Sequence, residues 1–214
     1  MSFRSFLKRI VQMTIGTAIC IALSNCAFGT ARISLTHDPL PNPSAKRQGT
    51  VVLERFTDER PSEQGGEYIG NKRNGYGMVL GHVALDSAKL DSVLTGFIAE
   101  ALKNTGYTVI YGSAKTAAAP DATAAPVMKG KIKECWMDMY MVANAQIKID
   151  LGLFTPDDKD TLWKSNISGG KVNLLWWGIK SEFANVYKGA VNFVLDSAQQ
   201  KFSSEEFAKK INKN

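Results

Sequence analysis

Residues 145–151, Ala-Gln-Ile-Lys-Ile-Asp-Leu, alternate strictly between apolar and polar side chains. Successive side chains of a strand point to opposite faces, so this run belongs in a sheet with one dry face and one wet face. The residues around it extend the pattern. Residues 127–140 set Met128, Ile132, Trp136 and Tyr140 against Lys129, Lys131 and Lys133 on the alternate face, and the period blurs over 137–141, which predicts a bulge there. Thr155-Pro156-Asp157-Asp158-Lys159-Asp160 is turn chemistry, and it leads into a third strand over 161–169 with Trp163, Ser165 and Ile167 on one face. These three segments predict an antiparallel meander.

A dry sheet face must be covered. Leu90, Val93, Leu94, Phe97, Ile98, Ala101 and Leu102 recur at the three-and-four spacing of one helix stripe. They predict a helix over 86–104, with Asp86 as its N-cap and Gly106 as its left-handed closing residue. Phe183, Val186, Tyr187, Ala190, Val194 and Ala198 repeat the pattern over 181–202, and a capping-box pattern from Ser203 to Glu206 opens a short polar tail helix over 203–214. A β-rich run at 50–56 and a return strand at 107–111 complete the elements. The expected fold is α+β: a two-layer sandwich of a mainly antiparallel sheet with two amphipathic helices packed on one face. Residues 62–82 carry Gly65, Gly66, Gly70, Gly75, Gly77 and Gly81 around Lys72 and Arg73, and read as a long loop. The Ala/Pro-rich stretch 113–126 reads as an exposed connector.

The first nine residues contain Arg4, Lys8 and Arg9 and no acid, and a mostly apolar run follows over 10–23. This is the grammar of a secretory leader, and the run falls short of the roughly 20 residues that span a bilayer. Leu23-Ser24-Asn25-Cys26 comes next and resembles the bacterial lipobox, with Asn25 departing from the Gly, Ala or Ser usual at that position. The expectation is that residues 1–25 are removed and that Cys26 is acylated. One acyl chain gives only marginal attachment, at about 0.8 kcal/mol per buried CH2, so the several chains on a lipoprotein cysteine anchor durably. Ala27 rather than Asp follows the cysteine, which by the sorting logic of such lipoproteins implies the outer membrane, with the protein facing the periplasm.

Half of the formal net charge of +6 leaves with that leader, so the basic balance of the whole chain calls for no nucleic-acid partner. Cys20 leaves as well and Cys26 carries lipid, so Cys135 is the one remaining thiol and no disulfide framework is available. The expected organisation is a leader over 1–25, a lipidated cysteine and extended tether over 26–49, marked by Pro39, Pro41 and Pro43, an α+β domain over 50–202, and a polar tail over 203–214.

The order of motifs along the chain resembles the YajG-type family of bacterial lipoproteins. The resemblance is carried by Asp58-Glu59-Arg60 after the first strand, Thr105-Gly106-Tyr107-Thr108-Val109 after the helix, Ala145-Gln146-Ile147-Lys148-Ile149 in the meander, and Leu162-Trp163-Lys164 in the next strand. It covers most of residues 50–202 and implies an outer-membrane lipoprotein with no established enzymatic activity. The Ala/Pro connector and Leu174-Leu175-Trp176-Trp177 depart from that family.

No constellation for catalysis stands out. His37 and His82 are the two histidines, and no serine sits in a Gly-x-Ser-x-Gly elbow. Metal-ligand spacings of the Cys-x-x-Cys or His-x-x-x-His kind are absent from the sequence, and Gly70-Asn71 breaks the phosphate-loop pattern, so neither metal nor cofactor is expected. Asp58 and Arg60 read as a structural turn pair. Two features remain for binding: the cationic glycine-rich stretch with Lys72, Arg73 and Tyr76, and the adjacent Trp176 and Trp177, since tryptophan is enriched at partner and membrane interfaces. The expected function is a non-enzymatic, membrane-anchored module that binds an envelope protein or lipid in outer-membrane assembly or transport. A lipid-binding auxiliary of a transporter would need an acyl-sized groove between helix and sheet. An envelope hydrolase would need His82 and Asp58 in one pocket.

Overall fold

A computed structural model of the chain describes residues 29–112, 125–140, 142–175 and 178–212. The leader, Cys26, most of the Ala/Pro connector, Trp176 and Trp177 lie outside the described residues. The elements are β1 (Gly29–Ile33), β2 (Thr50–Leu53), β3 (Thr57–Asp58), a 3-10 turn (Ser62–Gln64), β4 (Tyr68–Arg73), β5 (Val79–Leu85), α1 (Leu90–Thr105), β6 (Thr108–Tyr111), β7 (Val127–Met139), β8 (Val142–Phe154), β9 (Thr161–Leu174), α2 (Lys180–Phe202) and α3 (Glu205–Ile211).

The meander is present and longer than its sequence pattern. Strands β7, β8 and β9 pair antiparallel, with Ile147 opposite Cys135 on one side and Gly169 on the other. Ala143, Ala145, Ile147, Ile149, Leu151 and Leu153 of β8 are all buried. The bulge falls between Ile132 and Glu134, not at 137–141, and β9 runs on through Gly169-Gly170 to Leu174. The remaining edge of β7 departs from expectation. It is shared by β2, β3 and β4 in succession, all parallel to it, with Val52 opposite Val127, Thr57 opposite Lys131 and Gly70 opposite Met137. Strand β4 carries β5 antiparallel, β5 carries β1 parallel, and β2 carries β6 parallel. The sheet is therefore mixed and curled, and it forks at β7, where a mainly antiparallel sheet was expected.

Helices α1 and α2 bury the predicted stripes, Leu90, Leu94, Ile98 and Leu102 on one and Phe183, Val186, Tyr187 and Val194 on the other. Gly169 lets α2 approach β9 closely, because a Cβ there would strike backbone atoms of Ala190 and Val194. Gly106 closes α1 at φ 111°, its N–H donating to the carbonyls of Leu102 and Lys103. The N-cap is Lys89 and not Asp86, whose backbone N–H instead donates to Ile33 at the end of the β1 and β5 pairing. The short helix expected in the tail is present, but it packs into the core. In α3, capped by the Ser204 hydroxyl, Phe207 is fully buried with its ring 4.9 Å from Trp163 and 5.1 Å from Phe202, so this segment belongs to the core and is no polar tail.

The stretch expected as a tether is also part of the domain. Strand β1 buries Ile33, and residues 34–49 then cross the helices as a strap. His37 Nε2 lies 2.9 Å from Glu100 on α1, and the Asp38 carboxylate meets Lys188 and Asn192 on α2 at 2.5 and 2.6 Å. The Pro41 carbonyl accepts from Asn104 and Gln199, and the Arg47 guanidinium donates to the Ser203 carbonyl. Proline removes donors but leaves carbonyls, and both helices offer side-chain amides to them.

Candidate functional site

The glycine-rich stretch is a hairpin, not a loop. Strands β4 and β5 flank an ordered tip in which Asn74 acts as organiser: its N–H donates to the Met78 carbonyl at 3.0 Å, and its side-chain oxygen accepts from the N–H groups of Tyr76 and Met78. Gly77 takes φ +84°, which a side chain would resist. The three residues predicted to bind from this stretch separate. Lys72 is only 3% exposed. Arg73 donates to Asp138 at 2.9 Å and to the Gly77 carbonyl at 3.1 Å, which fixes the hairpin to β7. Tyr76 stands at the tip, 93% exposed. Asn74-Gly75 between two apolar runs is the sequence signal of such a hairpin.

The pairing of the strands carries this tip to one end of the sheet. Lys72 lies opposite Met139, so the tip adjoins the turn between β7 and β8, and Val142 lies opposite Leu174, the last residue of β9. Tyr76, Met78, Tyr140, Val142, Val172 and Leu174 thereby gather at one end of the molecule, all exposed. Residues 171–174 are exposed in succession, although the Lys171 stem still runs against α2 at Gly189. Most of the large apolar side chains that the described residues leave exposed sit at this end. Trp176 and Trp177, the other predicted binding residues, follow Leu175 in the sequence and lie outside the described residues.

His82 and Asp58 are not brought together in a pocket. The His82 ring lies against Tyr68 at 4.8 Å, with Nδ1 2.9 Å from the Asn71 side-chain oxygen. Asp58 is held by Arg60, whose Nε and Nη2 donate to its two carboxylate oxygens at 2.9 and 2.8 Å. The rest of that guanidinium donates to the carbonyls of Gly66, Tyr68 and Cys135. The Arg60 side chain is wholly enclosed, and its hydrogen bonds hold the Asp58 carboxyl below its ordinary range. A cavity of about 390 Å3 touches Asp58 with Arg32, Glu67 and Asp91, and His82 is not among its lining residues. Cys135 is buried beside this cluster, and burial pushes its thiol up to about 12, which keeps it protonated and inert.

A shallow cavity of about 650 Å3 lies on the wet face of the meander, lined by Lys129, Lys131, Lys133 and Lys164 around Phe154. Its lysines are largely neutralised: Lys129 meets Asp158 at 2.5 Å, and Lys131 and Lys133 share Glu59 at 2.7 and 2.6 Å. The contact between α2 and the sheet is filled by Phe183 and Tyr187, both fully enclosed, with the Tyr187 hydroxyl donating to the Ile69 carbonyl. Where Gly169 brings α2 and β9 together, the interface has no room even for a methyl group, far less an acyl chain. Among the described residues, no helix is long and apolar enough to cross a membrane, and no group of His, Cys, Asp and Glu could hold a metal ion.

No protein-family model matches the chain, and no curated protein matches it. Among solved structures it is similar to a Xanthomonas campestris protein of the family DUF330, at 10% identity and a TM-score of 0.52, covering 80% of this chain and 99% of that one. It is similar more weakly to a neuraminyllactose-binding hemagglutinin homologue from Helicobacter pylori, at 13% identity and a TM-score of 0.46 over 83% of this chain and 97% of that one. Lipoprotein GNA1162 from Neisseria meningitidis matches at 10% identity and a TM-score of 0.35, over 64% and 93%. What the chain shares with the Xanthomonas protein is the fold, an α+β arrangement with a curled sheet.

Proposed function

We propose that the protein is a lipid-anchored module of the bacterial envelope that works by binding and not by catalysis. Residues 1–25 are the leader, Cys26 carries the acyl chains, and the domain faces the periplasm from the outer membrane. Its contact surface is the open end of the sheet around Tyr76, Tyr140 and Leu174, together with the adjoining Trp176 and Trp177. The observation that carries the reading is the gathering of exposed apolar side chains at that end, since soluble monomers rarely leave such a patch unused. The Leu23-Ser24-Asn25-Cys26 signature and the YajG-type order of motifs support the address. His82 and Asp58, engaged by Asn71 and Arg60 in separate places, give a hydrolase no starting point.

Labelled palmitate fed to cells tests the anchor: incorporation is expected into the native protein and not into a Cys26→Ala variant. A photocrosslinker at position 76, compared with one at position 159 in the β8–β9 turn, tests the surface in native membranes. Adducts with an envelope component are expected from position 76 and not from position 159. Equal labelling from both positions would refute the assignment of the surface.

A further inference from the structure

We infer that the open end of the sheet rests on the lipid bilayer itself, with Tyr76, Met78, Tyr140, Val142, Val172 and Leu174 entering the boundary between headgroups and acyl chains. The inference rests on the acylation of Cys26 proposed above and specifies what the contact surface meets.

The first ground is where the chain enters the domain. Strand β1 runs parallel to β5, with Gly29 opposite Gly81, and β5 begins at Val79 directly after the hairpin tip. Gly29 therefore lies at the same end of the sheet as Tyr76. Only Ala27 and Phe28 separate it from Cys26, and three residues span at most about 10 Å even when fully extended. Because residues 34–49 are strapped to α1 and α2, they add no slack between lipid and domain. Acyl chains on Cys26 pull this end of the sheet to the membrane, and the β8–β9 turn at the opposite end points away.

The second ground is chemical. Tyrosine has an apolar ring and a polar tip, which suits the headgroup level, and valine, leucine and methionine suit the layer beneath. The three segments that meet here, 69–85, 139–149 and 161–181, contain no aspartate or glutamate; of their cations, Lys72 is buried, Arg73 holds Asp138 and Lys180 lies 3.9 Å from Asp86, while Lys171 is exposed. The carboxylate nearest in sequence to the β7–β8 turn is Asp138, and Arg73 holds it at 2.9 Å. No lone carboxylate has to leave water, and the exposed Lys171 can face anionic headgroups. The far turn is the opposite case, with Asp157, Asp158 and Asp160 all exposed.

The third ground is order. Asn74 fixes the backbone of the hairpin tip, and ladder pairing continues to Val142 and Leu174, so the apolar side chains are presented by structure that already exists. Contact then costs little ordering entropy.

The test uses the full lipidated protein in vesicles of phosphatidylethanolamine and phosphatidylglycerol, after mass measurement has shown the acyl chains on Cys26. A spin label is placed at Tyr76→Cys, Tyr140→Cys or Lys159→Cys, all exposed positions, and Cys135 does not compete because it is buried. Labels at 76 and 140 are expected to be several-fold more accessible to dissolved oxygen than to a water-soluble nickel chelate, and the label at 159 the reverse. Low accessibility to both reagents at 76 would mean that protein covers this end, a partner or a second copy, and would overturn the inference. High nickel accessibility at 76, or lipid-like behaviour at 159, would overturn it as well. Acyl chains found with any of these patterns leave the anchor standing and remove the bilayer contact alone. An unmodified Cys26 removes the anchor and the contact together.

Discussion

Arg60 is a charge wholly taken out of water, and such a group persists only where every donor is engaged. It binds Asp58 through two oxygens and ties the carbonyls of Gly66 and Tyr68 to that of Cys135 on β7, so one side chain holds β3, β4 and β7 together. Replacing it by Met strands three carbonyls and a carboxylate, and is expected to cost about 3 kcal/mol in urea denaturation of the detergent-solubilised protein. The Asp58 carboxyl titrates below its ordinary range because Arg60 donates to it. A depressed folded value stabilises the protein at pH above the unfolded value of about 4 and ceases to do so as pH falls through the folded value. The native protein should therefore be more stable than Asp58→Asn at neutral pH, and the gap should close in acid. A gap that stays constant down to about pH 2 would separate Asp58 from this effect. Gly169 makes the complementary case, in which a missing atom matters. Gly169→Ala would drive a methyl into α2 and is expected to lower stability by about 1–3 kcal/mol, read from the same denaturation curves. Asp58-x-Arg60 was legible in the sequence as a structural pair. The three carbonyls that Arg60 serves were not, since two of them lie in the stretch 62–82 that was read as a loop.

At the scale of elements, periodicity recovered what it can report. The stripes of α1 and α2 and the alternation of β8 are local patterns with buried outcomes, and each was found where its spacing put it. What escaped was pairing between distant segments. Strand β1 and the strap are short on apolar residues and rich in proline, and such composition reads as linker although Ile33 and Leu35 are buried. The strap's order comes from single polar contacts that no periodicity encodes. It has a measurable consequence. The Asp38 N–H donates to Asn192 and the Arg47 N–H to the Thr105 carbonyl, so both amides should exchange with solvent at least about 100-fold more slowly than in an unstructured peptide. Exchange at the unstructured rate, measured by hydrogen–deuterium exchange on the lipidated protein, would restore the tether. Likewise α3 was read as a polar tail helix, while Phe207 and Ile211, one turn apart, plug the core beneath Trp163.

For the whole molecule, loss of the tether changes what the proposed anchor at Cys26 would do. The extended 24-residue tether that the sequence suggested would set the domain tens of ångströms from the lipid and leave its orientation unconstrained. If Cys26 is acylated as proposed, the pairing of β1 beside β5 sets the orientation, and the β7–β8 ladder is the axis along which the molecule would stand up from the membrane. Strand β7 has 13 residues, which at about 3.3 Å each gives a ladder about 40 Å long. The β8–β9 turn, with Asp157 and Asp158, should then lie about 40 Å from the headgroup plane, beyond a Debye length of about 8 Å and so free of the surface potential. Energy transfer from a dye on Lys159→Cys to acceptor lipids in the vesicles reads this height directly. A value near 40 Å is expected, and it should be insensitive to salt. A height under about 20 Å would mean that the domain lies on its side, with the lysine face of β7 against the bilayer. High salt would then raise the dye, because that arrangement depends on Lys129, Lys131 and Lys133 exchanging their carboxylate partners for phosphates.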